Sequence, residues 1–127
     1  MSNTKQANIN IKLKDLFLRW LEITKTFHKL TPQHQNILAL LLYYHYIFKK
    51  DVTNNKILWK MVFDYDTKLK IREELNISDS TLQNTLTSFR KANIIVNGEI
   101  SPAFIPDLSL DSKGFKVVFN FNIVDND

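Results

Sequence analysis

KLKIREELNISDSTLQNTLTSFRKANIIVNG, residues Lys68 to Gly98, is the stretch that decides how this chain folds. It divides into a short helix, a three-residue turn, a longer helix and the start of a hairpin. From Lys68 to Leu75 the apolar residues Leu69, Ile71 and Leu75 are separated by charges, as on a first helix. Asn76-Ile77-Ser78 interrupts the pattern, and Ser78 or Asp79 can cap the next helix by accepting from its free N–H groups. Leu82, Leu86 and Phe89 then stand at i, i+4 and i+7, one apolar stripe on a second helix. Ile94-Ile95-Val96 is β-branched and runs into Asn97-Gly98, the pair that a tight hairpin turn favours.

Helix, turn, helix, hairpin is a winged helix-turn-helix pattern. IREELNISDSTLQNTLTSFRKANII resembles the winged-helix modules of phage, plasmid and mobile-element DNA-binding proteins, such as MarR-like regulators and plasmid replication proteins. The matching features are an acid-containing first helix, Ile77 buried in the turn, a Ser/Thr-led second helix and the closing FRKANII. The resemblance covers about a quarter of the chain. It implies that exposed side chains of the second helix, Asp79 to Lys91, read the major groove of duplex DNA. Those positions here are Ser80, Thr81, Gln83, Asn84, Thr87 and Lys91, with Arg90 adding charge. Gln83 and Asn84 are the residue types that pair bidentately with adenine, while Ser80, Thr81 and Thr87 would hold phosphates.

Composition sets the limits around this motif. A chain of 127 residues, 44% hydrophobic and 12% aromatic, fits one domain with a packed core. The expected organisation is a flexible arm over residues 1–10 and a single winged-helix domain over 11–127. Within it, 11–63 form the helical support and 64–127 the helix-turn-helix and wing. With no cysteine, disulfides and thiolate chemistry are excluded. The polar start SNTKQANIN is no signal peptide, and the apolar run Ile37 to Phe48 is too short to span a bilayer. The net charge of +4 is unevenly spread. Residues 1–63 hold ten Lys/Arg against three acids (+7), and residues 64–127 hold seven against ten (−3). A DNA reader places positive surface where phosphates lie, so the amino-terminal helices must flank the second helix of the motif.

Taken in order, Leu13 to Leu30 reads as one helix, with Leu13, Leu16, Phe17, Trp20, Thr24, Phe27 and Leu30 on a stripe. Leu18, Leu21 and Ile23 lie off it, which makes them candidates for an interface with another subunit, alongside a plain two-sided core reading. Thr31-Pro32 is a helix restart, and the helix from Gln33 to Phe48 is apolar nearly all round, as a buried centre would be. Lys49, Lys50, Lys56 and Lys60 form a positive patch around Trp59. The patch either grips phosphates with Trp59 against a base or rims a buried tryptophan, and the second reading is preferred. Pro102 and Pro106 argue for an extended segment with Phe104 tucked in. A further hairpin is expected from Leu108 onward, turning at Asp111-Ser112-Lys113-Gly114. Its last strand, Phe115 to Val124, alternates Phe115, Val117, Phe119, Phe121 and Ile123 toward the core.

No catalytic set emerges. Asp64 and Asp66 lack a base or nucleophile, Glu73 and Glu74 are adjacent on a helix and point apart, and two glycines cannot build a phosphate-cradling loop. His28, His34 and His45 are not spaced for a shared metal, and no cofactor or small-molecule motif is present. The expected fold class is therefore α+β, a winged helix-turn-helix with two extra amino-terminal helices and a carboxyl-terminal antiparallel β-hairpin. The expected function is non-catalytic binding of double-stranded DNA, as a phage or mobile-element regulator or replication factor, in a host cytoplasm. The alternative is a phage virion structural or assembly protein that uses the scaffold for protein–protein contacts. Either way a homo-oligomer or larger protein assembly is expected.

Overall fold

The computed structural model describes residues 5–108, 113–114 and 116–125. In chain order the elements are α1 (Leu13–Ile23), α2 (Lys25–His28), α3 (Pro32–Lys49), α4 (Asn55–Val62), α5 (Tyr65–Leu75), α6 (Asp79–Lys91), β1 (Ile95–Val96) and β2 (Glu99–Ile100). A 3₁₀ turn, Pro102–Phe104, follows. The architecture is α+β: mostly helical, with β1 and β2 paired antiparallel, Ile95 opposite Ile100 and Val96 opposite Glu99.

Thr31-Pro32 starts α3 as its chemistry requires, with the threonine side chain accepting from the His34 N–H and proline at the first helical position. Ile37, Leu38, Ala39, Leu40, Leu41 and Leu42 are all buried, so this helix has apolar contact on most of its circumference. It packs against α1, α4, α5 and α6. Its one buried amide, Gln35, donates to the Leu30 carbonyl at 2.8 Å, which removes the cost of burying it.

The expected helix over Leu13 to Leu30 breaks in two. Thr24 leaves helical geometry at φ −91°, ψ 9°, and its hydroxyl donates to the Trp20 carbonyl at 2.8 Å, competing with the helical ladder. The short α2 then ends at Lys29 in the left-handed region, φ 55°. His28 fixes that end: its Nδ1 accepts from the Leu30 N–H at 3.0 Å, so its Nε2 donates to the Leu21 carbonyl at 2.7 Å. The break turns Phe27 away from the core, and it is 76% exposed. Leu21, a candidate for either an interface with another subunit or a two-sided core, lies in the chain's own core at 0% exposure, which rules it out as an interface residue. Leu18 is half-buried against that core, and Ile23 is exposed.

α5 and α6 end by the same device. An asparagine with positive φ follows each helix: Asn76, the C-cap of α5, at 53°, and Asn93, one residue past the Ala92 cap of α6, at 60°. The next residue is an isoleucine whose N–H reaches back to the last turn: Ile77 to the Arg72 carbonyl at 3.0 Å, Ile94 to the Phe89 carbonyl at 2.8 Å. Asparagine fills these positions because it tolerates left-handed geometry better than other residues with a Cβ. The hairpin uses it once more, with Asn97 at φ 54° and Gly98 at φ 74°, both positive as a two-residue hairpin turn demands.

The carboxyl-side expectations fare less well. Pro102–Phe104 is a 3₁₀ turn rather than an extended run, with Phe104 half-buried and its carbonyl accepting from Trp20 Nε1 at 3.0 Å. Residues 116–125 form no strand, and they add nothing to the described core cluster. Among the described residues the expected core-facing strand, and with it the second hairpin, is therefore not found. Ser109 to Ser112 and Phe115, which belonged to that expectation, lie outside the described residues.

Candidate nucleic-acid interface

α6 spans the residues expected of it, Asp79–Lys91. Ser78 caps it by accepting from the Thr81 N–H at 3.1 Å. Leu82, Leu86 and Phe89 are fully buried, which fixes the rotation of the helix about its axis. Thr85 joins the buried face and satisfies its hydroxyl on the Thr81 carbonyl at 2.9 Å. The opposite face presents Ser80, Asn84, Thr87, Ser88, Arg90 and Lys91 to solvent, with Gln83 and Thr81 half-buried at its edge. The predicted contact residues thus share one outer surface.

Their hydrogen bonding divides them. Thr87 Oγ1 donates to the Gln83 carbonyl at 3.0 Å and Ser88 Oγ to the Asn84 carbonyl at 3.1 Å. Thr81 Oγ1 accepts from Ser78 Oγ at 3.0 Å. Thr87 could donate to an outside acceptor only by giving up its helix bond. Ser80 carries no such bond.

Charge on α6 is split between its ends. Asp79 occupies the first turn and Arg90 and Lys91 the last, each complementing the helix dipole. Arg72 of α5 lies 3.9 Å from Asp79, offsetting its negative charge. Lysines of the amino-terminal half meet the positive end. Lys56 and Lys60 of α4, Phe63, Arg90 of α6, Asn97 of the hairpin turn and Glu99 line an open groove of about 540 Å³. Asn55 at the start of α4 donates to the Glu99 carboxylate at 3.1 Å, tying α4 to the hairpin and partly engaging the one acid there. Three cations therefore converge from elements that are 30 residues apart in sequence (Lys60 to Arg90). The sequence showed the Lys56 and Lys60 pair but could not show Arg90 as its neighbour.

Trp59 also lines this groove but presents almost no ring surface to it. It is 5% exposed, stacked on His45 at 4.1 Å and on Phe63 at 6.1 Å. The preferred reading of the lysine patch, a rim around a buried tryptophan, holds for Trp59. Burial of His45, followed by the positive charge of Lys49, pushes its pKa down from 6.5 to about 4. The same histidine and tryptophan line a larger opening of about 720 Å³ between α3, α4 and the segment 102–108.

Elsewhere, Lys14 of α1 pairs with Glu74 of α5, and Arg19 with Glu22 at 3.0 Å. These are exposed pairs, worth roughly 0–1 kcal/mol each. Among the described residues no cluster of His, Asp or Glu could hold a metal ion, and no helix is long and apolar enough to cross a membrane. The chain matches no protein-family model, no curated protein and no solved structure.

Proposed function

We propose that this chain is a non-catalytic, duplex-DNA-binding winged-helix protein that presents the outer face of α6 to the major groove. The observation that carries the reading is the convergence of Lys56, Lys60 and Arg90 beside the hairpin turn, at the end of α6. The carboxyl-side half is net acidic, so α6 alone offers little to a polyanion. Lysines brought from α4 supply that charge next to Arg90, on the helix that also carries exposed Asn84 and half-buried Gln83. In this reading Lys56, Lys60, Arg90 and Lys91 neutralise phosphates, Ser80 donates to one, and Gln83 and Asn84 reach base edges.

A gel-shift titration over salt tests it. Binding should be tight at low salt and fall steeply as salt rises, and Lys56→Ala with Lys60→Ala should flatten the log–log slope by about two. Gln83→Ala with Asn84→Ala should erase sequence preference, each base contact accounting for roughly 1–3 kcal/mol, with helical circular dichroism unchanged. No shift at low salt removes the reading.

The second reading is an assembly component, such as a virion part, that uses the scaffold for protein contacts. Its support is the exposed apolar side chains at residues 116–125. A defined high-order ring by mass photometry, together with no duplex binding, would favour it.

A further inference from the structure

Residues 116–125, Lys-Val-Val-Phe-Asn-Phe-Asn-Ile-Val-Asp, hold the largest mismatch between side-chain chemistry and surroundings. From Val117 to Val124 the run has no charge, proline or glycine, and six of its eight residues are β-branched or aromatic. Yet Phe121 is 90% exposed and Ile123 98%. No backbone hydrogen bond found among the described residues involves this segment. An uncharged alternating run with free N–H and C=O groups is a template for strand pairing. The chain's own sheet cannot accept it, because β1 and β2 are two residues long each.

We infer that this segment pairs with the same segment of a second copy, antiparallel, about a two-fold axis at Phe121. Three features select that occupant. First, the run is self-complementary. With Phe121 opposite itself, Phe119 falls opposite the partner's Ile123, Val118 opposite the partner's Val124, and Asn120 opposite the partner's Asn122. From 118 to 124 apolar thus meets apolar and amide meets amide, while Val117 falls opposite the partner's Asp125 at the edge of the run. Moving the axis to Asn120 opposes Val118 to Asn122 inside the run, and a one-residue slip puts Phe119 on Asn122. Second, the only charges are Lys116 at one end and Asp125 at the other. Antiparallel pairing brings unlike ends together, whereas parallel pairing brings Lys116 to Lys116. Third, a self-matched patch is what a two-fold interface requires. A two-stranded ribbon alone is marginal, and the arm supplies further chain: residues 5–8 line a groove of about 1080 Å³ together with 116–122. None of the groove residues Lys56, Lys60 and Arg90 belongs to this surface, so the pairing stands apart from duplex binding.

The chain has no cysteine, which makes single-cysteine variants clean reporters. Directly opposed antiparallel residues have Cα atoms about 4.5–5.5 Å apart, within the reach of a disulfide. Full-length protein without nucleic acid should sediment as a dimer at tens of micromolar. Phe121→Cys should cross-link to a covalent dimer under mild oxidation at least roughly tenfold faster than Val118→Cys or Asn120→Cys. Phe121→Lys should weaken dimerisation by roughly 100-fold or more without changing helical circular dichroism, since that side chain touches nothing in its own core. A monomer at about 100 μM, equal cross-linking at positions 118, 120 and 121, or a dimer indifferent to Phe121→Lys would each overturn the inference. A strand supplied by a different protein would show itself as the first of these.

Discussion

α6 and the run from Val117 to Val124 both carry a regular apolar pattern, one with the period of a helix and one with the period of a strand. Only α6 becomes an element. A helix closes its backbone hydrogen bonds within itself, and this one also has a Ser78 cap, an Asn93–Ile94 stop and a buried stripe on α3. A strand closes none of its bonds without a neighbour, and the described chain offers the 117–124 run no sheet edge long enough. Periodicity states which face is apolar. It does not state whether the chain itself holds the surface to cover that face.

The contrast should appear most strongly in paired truncations. Leu86→Ala, at a fully buried position of α6, should cost about 2–5 kcal/mol in chemical denaturation. Phe121→Ala should cost less than about 0.5 kcal/mol when measured at concentrations too low for association. Equal losses would mean that the exposed run is packed in solution. Next comes the cap: Ser78→Ala should lower stability by about 1 kcal/mol, because the Thr81 N–H loses its acceptor. No single residue in 117–124 should show a comparable local effect.

Acid should separate the two regions as well. Above the ordinary imidazole pKa of 6.5, His45 is neutral in both folded and unfolded chains and contributes no pH slope. Between 6.5 and about 4 the unfolded chain takes up a proton that the folded chain refuses, so stability falls as pH is lowered through this window. The loss, discounted for the partial exposure of the ring, is on the order of 1 kcal/mol. Comparing denaturation midpoints of wild type and His45→Phe at pH near 7.5 and near 5 should show a smaller drop in the variant. Association through 117–124, which holds no titratable side chain, should be unchanged over the same interval.

Much of the helical half was legible because its signals are local. Thr31-Pro32, Ser78 and Asn97-Gly98 act within a few residues of themselves, and each does what its chemistry dictates. The break at Thr24 was masked by an apolar stripe that continues past it, since no glycine or proline marks the spot. Leu21 looked superfluous to a single stripe, yet it is a principal contact of the core once the helix stops at Ile23. The groove residues were named one by one, but their meeting depends on how α4 leans on the hairpin. Residues 116–125 misled because an alternating pattern was credited with a neighbour that sequence cannot supply.

The position of α3 governs what can be removed from this molecule. α1, α4, α5 and α6 all rest on that one rod, and its side chains form a large part of the buried cluster. A fragment beginning at Asp64 would keep α5, α6 and the hairpin but lose the floor beneath them. Moving α5, α6 and the hairpin into another host would have to bring the rod along, because their buried side chains would otherwise lose the surface they pack on.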